Sequence, residues 1–115
     1  MREDERDLPA WVANTLAPHQ RHALSNPTRR RILRALNNTP DAQTVSDLFD
    51  VVPADGLSAL SYHVKILEKD ACVSQVGEAG RANGNGCAYV SNVADNLEVM
   101  DALRATERED QGLGT

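Results

Sequence analysis

The chain has 115 residues, 41% of them hydrophobic and 25% charged, with a formal net charge of −5. These values are near globular averages and predict one folded domain rather than a disordered chain. No apolar run approaches the ~18 residues of a membrane span. The charged start over residues 1–7 is no signal peptide, and two cysteines cannot build a disulfide framework. Membrane and disulfide-rich classes are therefore excluded, and the expected compartment is the reduced cytoplasm. The aromatics are only Trp11, Phe49, Tyr62 and Tyr89, so the core must be aliphatic.

Residues 1–7 are charged apart from Met1, and disorder is expected there. From 8 to 24 the residues Leu8, Trp11, Val12, Leu16, Ala23 and Leu24 predict helix, with a break near Pro18. Ser25-Asn26-Pro27-Thr28 reads as a helix start. Asn26 can cap the orphan N–H groups, and Pro27 stands where a missing N–H costs nothing. Ile32, Leu33 and Leu36 carry that helix to the stop at Asn37-Asn38-Thr39-Pro40.

Thr44-Val45-Ser46-Asp47 is a capping signal for a short helix whose expected buried stripe is Val45, Leu48 and Phe49. After a break over 51–56, a helix over 57–69 is predicted. Leu57, Leu60, Val64 and Leu67 fall within about 80° of one another at about 100° per residue and form one face. Ser58, Tyr62, Lys65 and Lys69 lie opposite, with Ser61 and His63 on the flanks. Two strands are predicted over 72–76 and 87–90, joined by a Gly/Asn-rich loop. A last helix over 93–108 carries Leu97, Met100 and Leu103 on one side. The expected folded unit is 8–108, followed by a flexible tail over 109–115.

Helix, turn, amphipathic helix and hairpin in this order predict a mainly α fold with a small β-hairpin wing, a winged helix-turn-helix. Such a helix fills a major groove when its outward side chains are polar or cationic. Ser58, Ser61 and Tyr62 can bond base edges or phosphates, while Lys65 and Lys69 can neutralise phosphates. Thr44, at the start of the short helix, is a further candidate. Arg81 in the loop can enter a minor groove, where narrow A·T stretches concentrate negative potential. Residues 19–34 hold Arg21, Arg29, Arg30, Arg31 and Arg34 without an acid, a basic run that attracts phosphate or is simply solvated. An ordinary surface helix of a small bundle is the competing reading of 57–69.

Two segments carry a resemblance. Ala23-Leu24-Ser25-Asn26-Pro27-Thr28-Arg29-Arg30-Arg31-Ile32-Leu33 closely resembles the opening signature of ArsR-type winged helix-turn-helix repressors. Leu60-Ser61-Tyr62-His63-Val64-Lys65-Ile66-Leu67-Glu68-Lys69 resembles their recognition helix. The resemblance implies a homodimer that occupies a palindromic operator in double-stranded DNA and blocks transcription. It makes Ser58, Ser61, Tyr62, His63 and Lys65 the base and phosphate readers, and Arg29 and Arg30 backbone contacts. His63 also flanks the buried stripe, where a structural histidine fits equally. The resemblance further implies a dimer interface of first and last helices through Trp11, Val12, Leu16, Leu97, Met100 and Leu103, although an apolar stripe also serves an internal core.

The metal-sensing motifs of many such relatives are missing. The stretch over 44–49 has no thiol, and no histidine follows His63. His19 and His22 stand one helical turn apart but lack a third ligand in the sequence. Neither a metal nor a cofactor is expected, and the effector stays unspecified. Strands pairing around a loop centred near residue 82 would set Val73 opposite about Val90. Cys72 would then stand some four residues, about 13 Å, out of register with Cys87. A disulfide needs Cα atoms within about 7 Å, so Cys72 is expected as a small buried residue, with an intermolecular bond through Cys87 left open. No catalytic set is expected either: Ser61 and His63 diverge by about 160° on a helix, and the Gly/Asn loop lacks phosphate-cradle spacing. The alternative to a DNA-binding regulator is a winged helix that binds protein, which the acidic net charge favours.

Overall fold

The computed structural model describes residues 8–76 and 88–110. Arg81 and Cys87 lie outside the described residues. Six helices and three short strands are found among those described: α1 (Ala10–Thr15), α2 (Pro18–Leu24), α3 (Pro27–Asn37), β1 (Gln43–Thr44), α4 (Val45–Phe49), α5 (Leu57–Lys69), β2 (Val73–Gln75), β3 (Ala88–Ser91) and α6 (Leu97–Asp110). None of these helices is long and apolar enough to cross a membrane.

The helix starts follow local chemistry. The expected break near Pro18 separates α1 from α2, with Pro18 as the first residue of the second helix, where its missing donor is harmless. Gln20 Oε1 reaches back to accept from the Ala17 N–H at 3.1 Å. Asn26 Oδ1 accepts from the N–H groups of Thr28 at 2.8 Å and Arg29 at 3.2 Å, starting α3. Thr44 and Asp47 form a reciprocal pair at the start of α4: Thr44 Oγ1 accepts from the Asp47 N–H and Asp47 Oδ2 from the Thr44 N–H, each at 3.0 Å. Gly56 precedes α5 at φ 152°, a conformation that side-chain-bearing residues rarely adopt.

The end of α5 is a Schellman motif. The N–H of Cys72 donates to the Leu67 carbonyl at 2.8 Å, and that of Ala71 to Glu68 at 3.0 Å. Ala71 stands at φ 65°, a left-handed position usually given to glycine. Cys72 is buried. Burial, and secondarily the charge of Asp70, push its thiol up to about 11.

The sheet is antiparallel in the order β1-β3-β2. The predicted hairpin is its larger part, and β1 is an addition. Its two residues pair with Tyr89 and Ala88 just before α4 begins, too short a strand for periodicity to disclose. The hairpin register is one residue from the predicted one: Val73 faces Ser91, Ser74 faces Val90 and Gln75 faces Tyr89. A one-residue shift exchanges the faces of a strand. The observed register lets Val73 and Tyr89 be buried on the same side, and the predicted one would have opposed them.

One aliphatic core joins the helices. Ile32, Leu33 and Leu36 of α3 pack with Leu48, with Leu60, Val64 and Leu67 of α5, and with Val99, Ala102 and Leu103 of α6. Two expected stripe residues stay outside it: Leu57, in the first turn of α5, is 48% exposed, and Phe49, the last residue of α4, 40%. Both sit at helix ends, beyond the neighbours that cover the helix middles.

α1 packs against α6. That contact corrects part of the expected dimer surface, because Val12, Leu16 and Leu103 are buried within the chain. Trp11 at 60% and Leu97 at 73% exposure remain outside, while Met100 is partly buried against the core. The last helix also differs from expectation. It begins at Leu97, with Asn96 Oδ1 accepting from the Val99 N–H at 2.9 Å, and continues through a buried Asp110. The boundary expected after residue 108 therefore lies inside a helix.

Candidate nucleic-acid interface

α4, the turn over 50–56 and α5 make a helix-turn-helix, with β2 and β3 following directly as a wing. Leu60, Val64 and Leu67 seat α5 on the body, which orients its opposite face outward. Ser58, Tyr62, Lys65 and Lys69 are exposed, Tyr62 by 62%, while Ser61 and His63 are partly covered. The rings of Tyr62 and His63 meet edge to face, with centroids 5.3 Å apart. Thr44 is half-buried and its hydroxyl oxygen is engaged as a helix cap, which leaves the O–H to donate.

The expected surface role of Arg29 and Arg30 is corrected by their burial, at 5% and 1% exposure. Arg29 Nε donates to the Ala23 carbonyl at 2.8 Å, an acceptor freed at the end of α2, and Nη2 to the His22 carbonyl at 3.1 Å, which also accepts from Ser25 Oγ at 2.9 Å. Its Nη1 donates to His63 Nδ1 at 3.1 Å, so that this ring nitrogen carries no proton. Arg30 makes a bidentate pair with Asp110, Nε to Oδ2 at 2.7 Å and Nη2 to Oδ1 at 2.6 Å, and Nη1 donates to the Leu24 carbonyl at 2.8 Å. Arg31 donates to the Asp110 carbonyl through Nε, at 2.8 Å, and through Nη2. Arg34 Nη2 lies 2.8 Å from Asp110 Oδ2. Burial pushes the Asp110 carboxyl up, but hydrogen bonds and charge from Arg30 and Arg34 outweigh it and hold the group below its ordinary value.

Arg29, Arg30, Arg31 and Arg34 of the basic run are thus an internal fastening between α3, α2 and α6, while Arg21 is exposed. One signal for this was present in the sequence. Arg29 precedes Ile32, Leu33 and Leu36 by three, four and seven residues, which sets it on the buried stripe itself.

α5 is held at two points. Arg29 grips it in the middle through His63, and His22 Nδ1–H donates to Asp70 Oδ2, just past its end, at 2.7 Å. His63 therefore has the structural contact anticipated as one of its two roles. His22 meets a carboxylate, and no group of three His, Cys, Asp or Glu side chains that could hold a metal is found among the described residues.

A family model described as a helix-turn-helix domain matches residues 24–71, from the end of α2 through α5. The mainly helical chain with its small antiparallel sheet after that domain is a winged helix. The match supports a helix-turn-helix transcription-regulator family and suggests DNA as a partner. No curated protein and no solved structure matches the chain.

Proposed function

We propose that the protein is an ArsR-type, sequence-specific DNA-binding transcriptional regulator, a repressor that occupies a palindromic operator as a homodimer. The observation that carries this reading is the outer face of α5. Ser58, Tyr62, Lys65 and Lys69 stand exposed on a helix that Leu60, Val64, Arg29 and His22 hold rigidly to the body. Preorganised side chains of this kind read base edges, and the two lysines meet phosphates. Ser61 at the edge of that face and Thr44 at the start of α4 are secondary contacts, and Arg81, outside the described residues, is kept as the minor-groove contact. Exposed Trp11 and Leu97, with the partly buried Met100, supply the apolar surface for a partner subunit. The two copies of α5 then enter successive major grooves about 34 Å apart. The unit that acts on DNA runs from residue 8 to Asp110, where α6 ends.

A second reading, a winged helix that binds protein, is favoured by the internal use of Arg29, Arg30, Arg31 and Arg34 in a chain of net charge −5. In vitro selection from randomised duplex DNA at moderate salt decides between them. Enrichment of an inverted repeat with half-sites about one helical turn apart supports the regulator. No enrichment by folded protein overturns it in favour of the protein-binding module. Affinity of the selected duplex must fall steeply with added salt if phosphates dominate the contact.

A further inference from the structure

We propose that Leu57 is a specificity-determining residue of α5 that reads the 5-methyl group of a thymine, so that each operator half-site carries an A·T pair facing the start of that helix. This role rests on the reading of α5 as the helix that enters the major groove. It adds an apolar contact to the polar set on the outer face.

Periodicity groups Leu57 with Leu60, Val64 and Leu67, yet those three are at most 1% exposed and Leu57 is 48% exposed. The difference comes from its place in the helix. Leu57 is the first residue of α5, and helical side chains lean toward the N-terminus, so its side chain extends past the helix start. That end is open. Gly56 caps α5 without a side chain, and beyond its chain neighbours no atom stands within 4 Å of where a Cβ would be. Among the described residues, Leu57 and Tyr62 are the large apolar side chains exposed on α5.

A leucine exposed on an ordinary surface is common. The start of a recognition helix is a different setting, because its first residues are the ones that reach base edges. There Leu57 has Ser58 beside it, with Ser61 about 40° and Lys65 about 80° further round the helix at about 100° per residue. A leucine side chain can bond neither a phosphate nor a polar base edge. The major groove offers it one apolar group, the C5-methyl of thymine, and contact between the two removes apolar surface of both from water. A G·C pair at the same place brings the cytosine amino group against Leu57, where it loses water without gaining an acceptor.

The duplex enriched by in vitro selection supplies the probe. Each half-site thymine is replaced, symmetrically and one position at a time, by deoxyuridine, which lacks only the 5-methyl group, and affinity is measured by competition titration at constant salt. Wild type is expected to lose about fourfold per half-site at one thymine, the effect of burying about one methyl group. Leu57→Ala should bind the thymine and deoxyuridine duplexes alike, and Leu57→Met, of similar volume, should keep most of the discrimination. If Leu57→Ala does not fold, Leu57→Gln takes its place. Discrimination that survives in the Leu57 variant, or that disappears in Tyr62→Ala instead, overturns the role of Leu57. So does an enriched repeat in which no thymine methyl affects binding. In these cases α5 still reads the groove, since an inverted repeat has been enriched. If no repeat is enriched by folded protein, the regulator reading falls and the role of Leu57 with it.

Discussion

Arg29 Nη1 lies 3.1 Å from His63 Nδ1, linking the first turn of α3 to the middle of α5 across 34 positions of sequence. The same guanidinium bonds the carbonyls of His22 and Ala23, so one side chain sets the spacing of three helices. Arg29→Ala removes the donor to the Ala23 carbonyl and to His63 Nδ1, while the His22 carbonyl keeps its bonds from Ser25, and is expected to lower stability by about 1–3 kcal/mol. Arg29→Lys should recover only part of this, because a single ammonium cannot span a fork of acceptors. Urea denaturation checks both, and a loss below about 1 kcal/mol for the alanine variant would show that α5 is held by its apolar face alone.

The Arg30–Asp110 pair predicts acid sensitivity. The folded carboxyl sits below its ordinary value, so the ionised form favours the native state. The contribution is fully present above an unfolded value of about 3.9 and is lost as pH falls through the lowered folded value. Asp110→Ala leaves the buried guanidiniums of Arg30 and Arg34 uncompensated and should cost about 3–5 kcal/mol at neutral pH. The gap between wild type and variant should close below about pH 4. A gap that stays constant down to pH 2 would exclude the linkage.

Ala71 offers the reverse case. It occupies the left-handed position of the α5 cap at φ 65°, where a Cβ is unfavourable. Ala71→Gly is expected to stabilise by about 0.5–1 kcal/mol despite the greater freedom of glycine in the unfolded chain. Calorimetry should show a higher Tm; an unchanged or lower one would mean that the cap carries no strain.

On DNA, the exposed residues of α5 should separate by role. Lys65→Ala and Lys69→Ala are each expected to weaken binding to every duplex and to reduce the salt slope by about 1. Tyr62→Ala and Ser58→Ala should instead alter which sequence is preferred. Competition titrations at several salt concentrations distinguish the two. Unchanged affinity and preference in all four variants would remove α5 from the reading role.

Some of this architecture was legible because its causes are local. The caps at Asn26 and Thr44 involve partners at most three residues away, and Leu60, Val64 and Leu67 recur at the helical period. The outward set Ser58, Tyr62, Lys65 and Lys69 follows from the same period, since fixing one face of a helix fixes the other. The burial of Arg29 was also accessible from its spacing to Ile32, Leu33 and Leu36, but a charged side chain weighs against a core reading unless an acceptor is in view.

What the sequence determined by itself, then, is the order of the helices and the hairpin, the starts of α3, α4 and α5, and the identity of the two faces of α5. Only the tertiary structure decided the fate of the arginine run, because the partner of Arg30 lies 80 positions away on α6 and no short-range pattern marks it. It also decided the hairpin register, which depends on Val73 and Tyr89 sharing one buried side, and the strand β1, which exists only through its pairing with β3. The division among Trp11, Val12 and Leu16 has the same origin. All three belong to one short apolar stretch, and the packing of α1 on α6 selects which are enclosed, because an apolar face is satisfied by whichever surface closes over it.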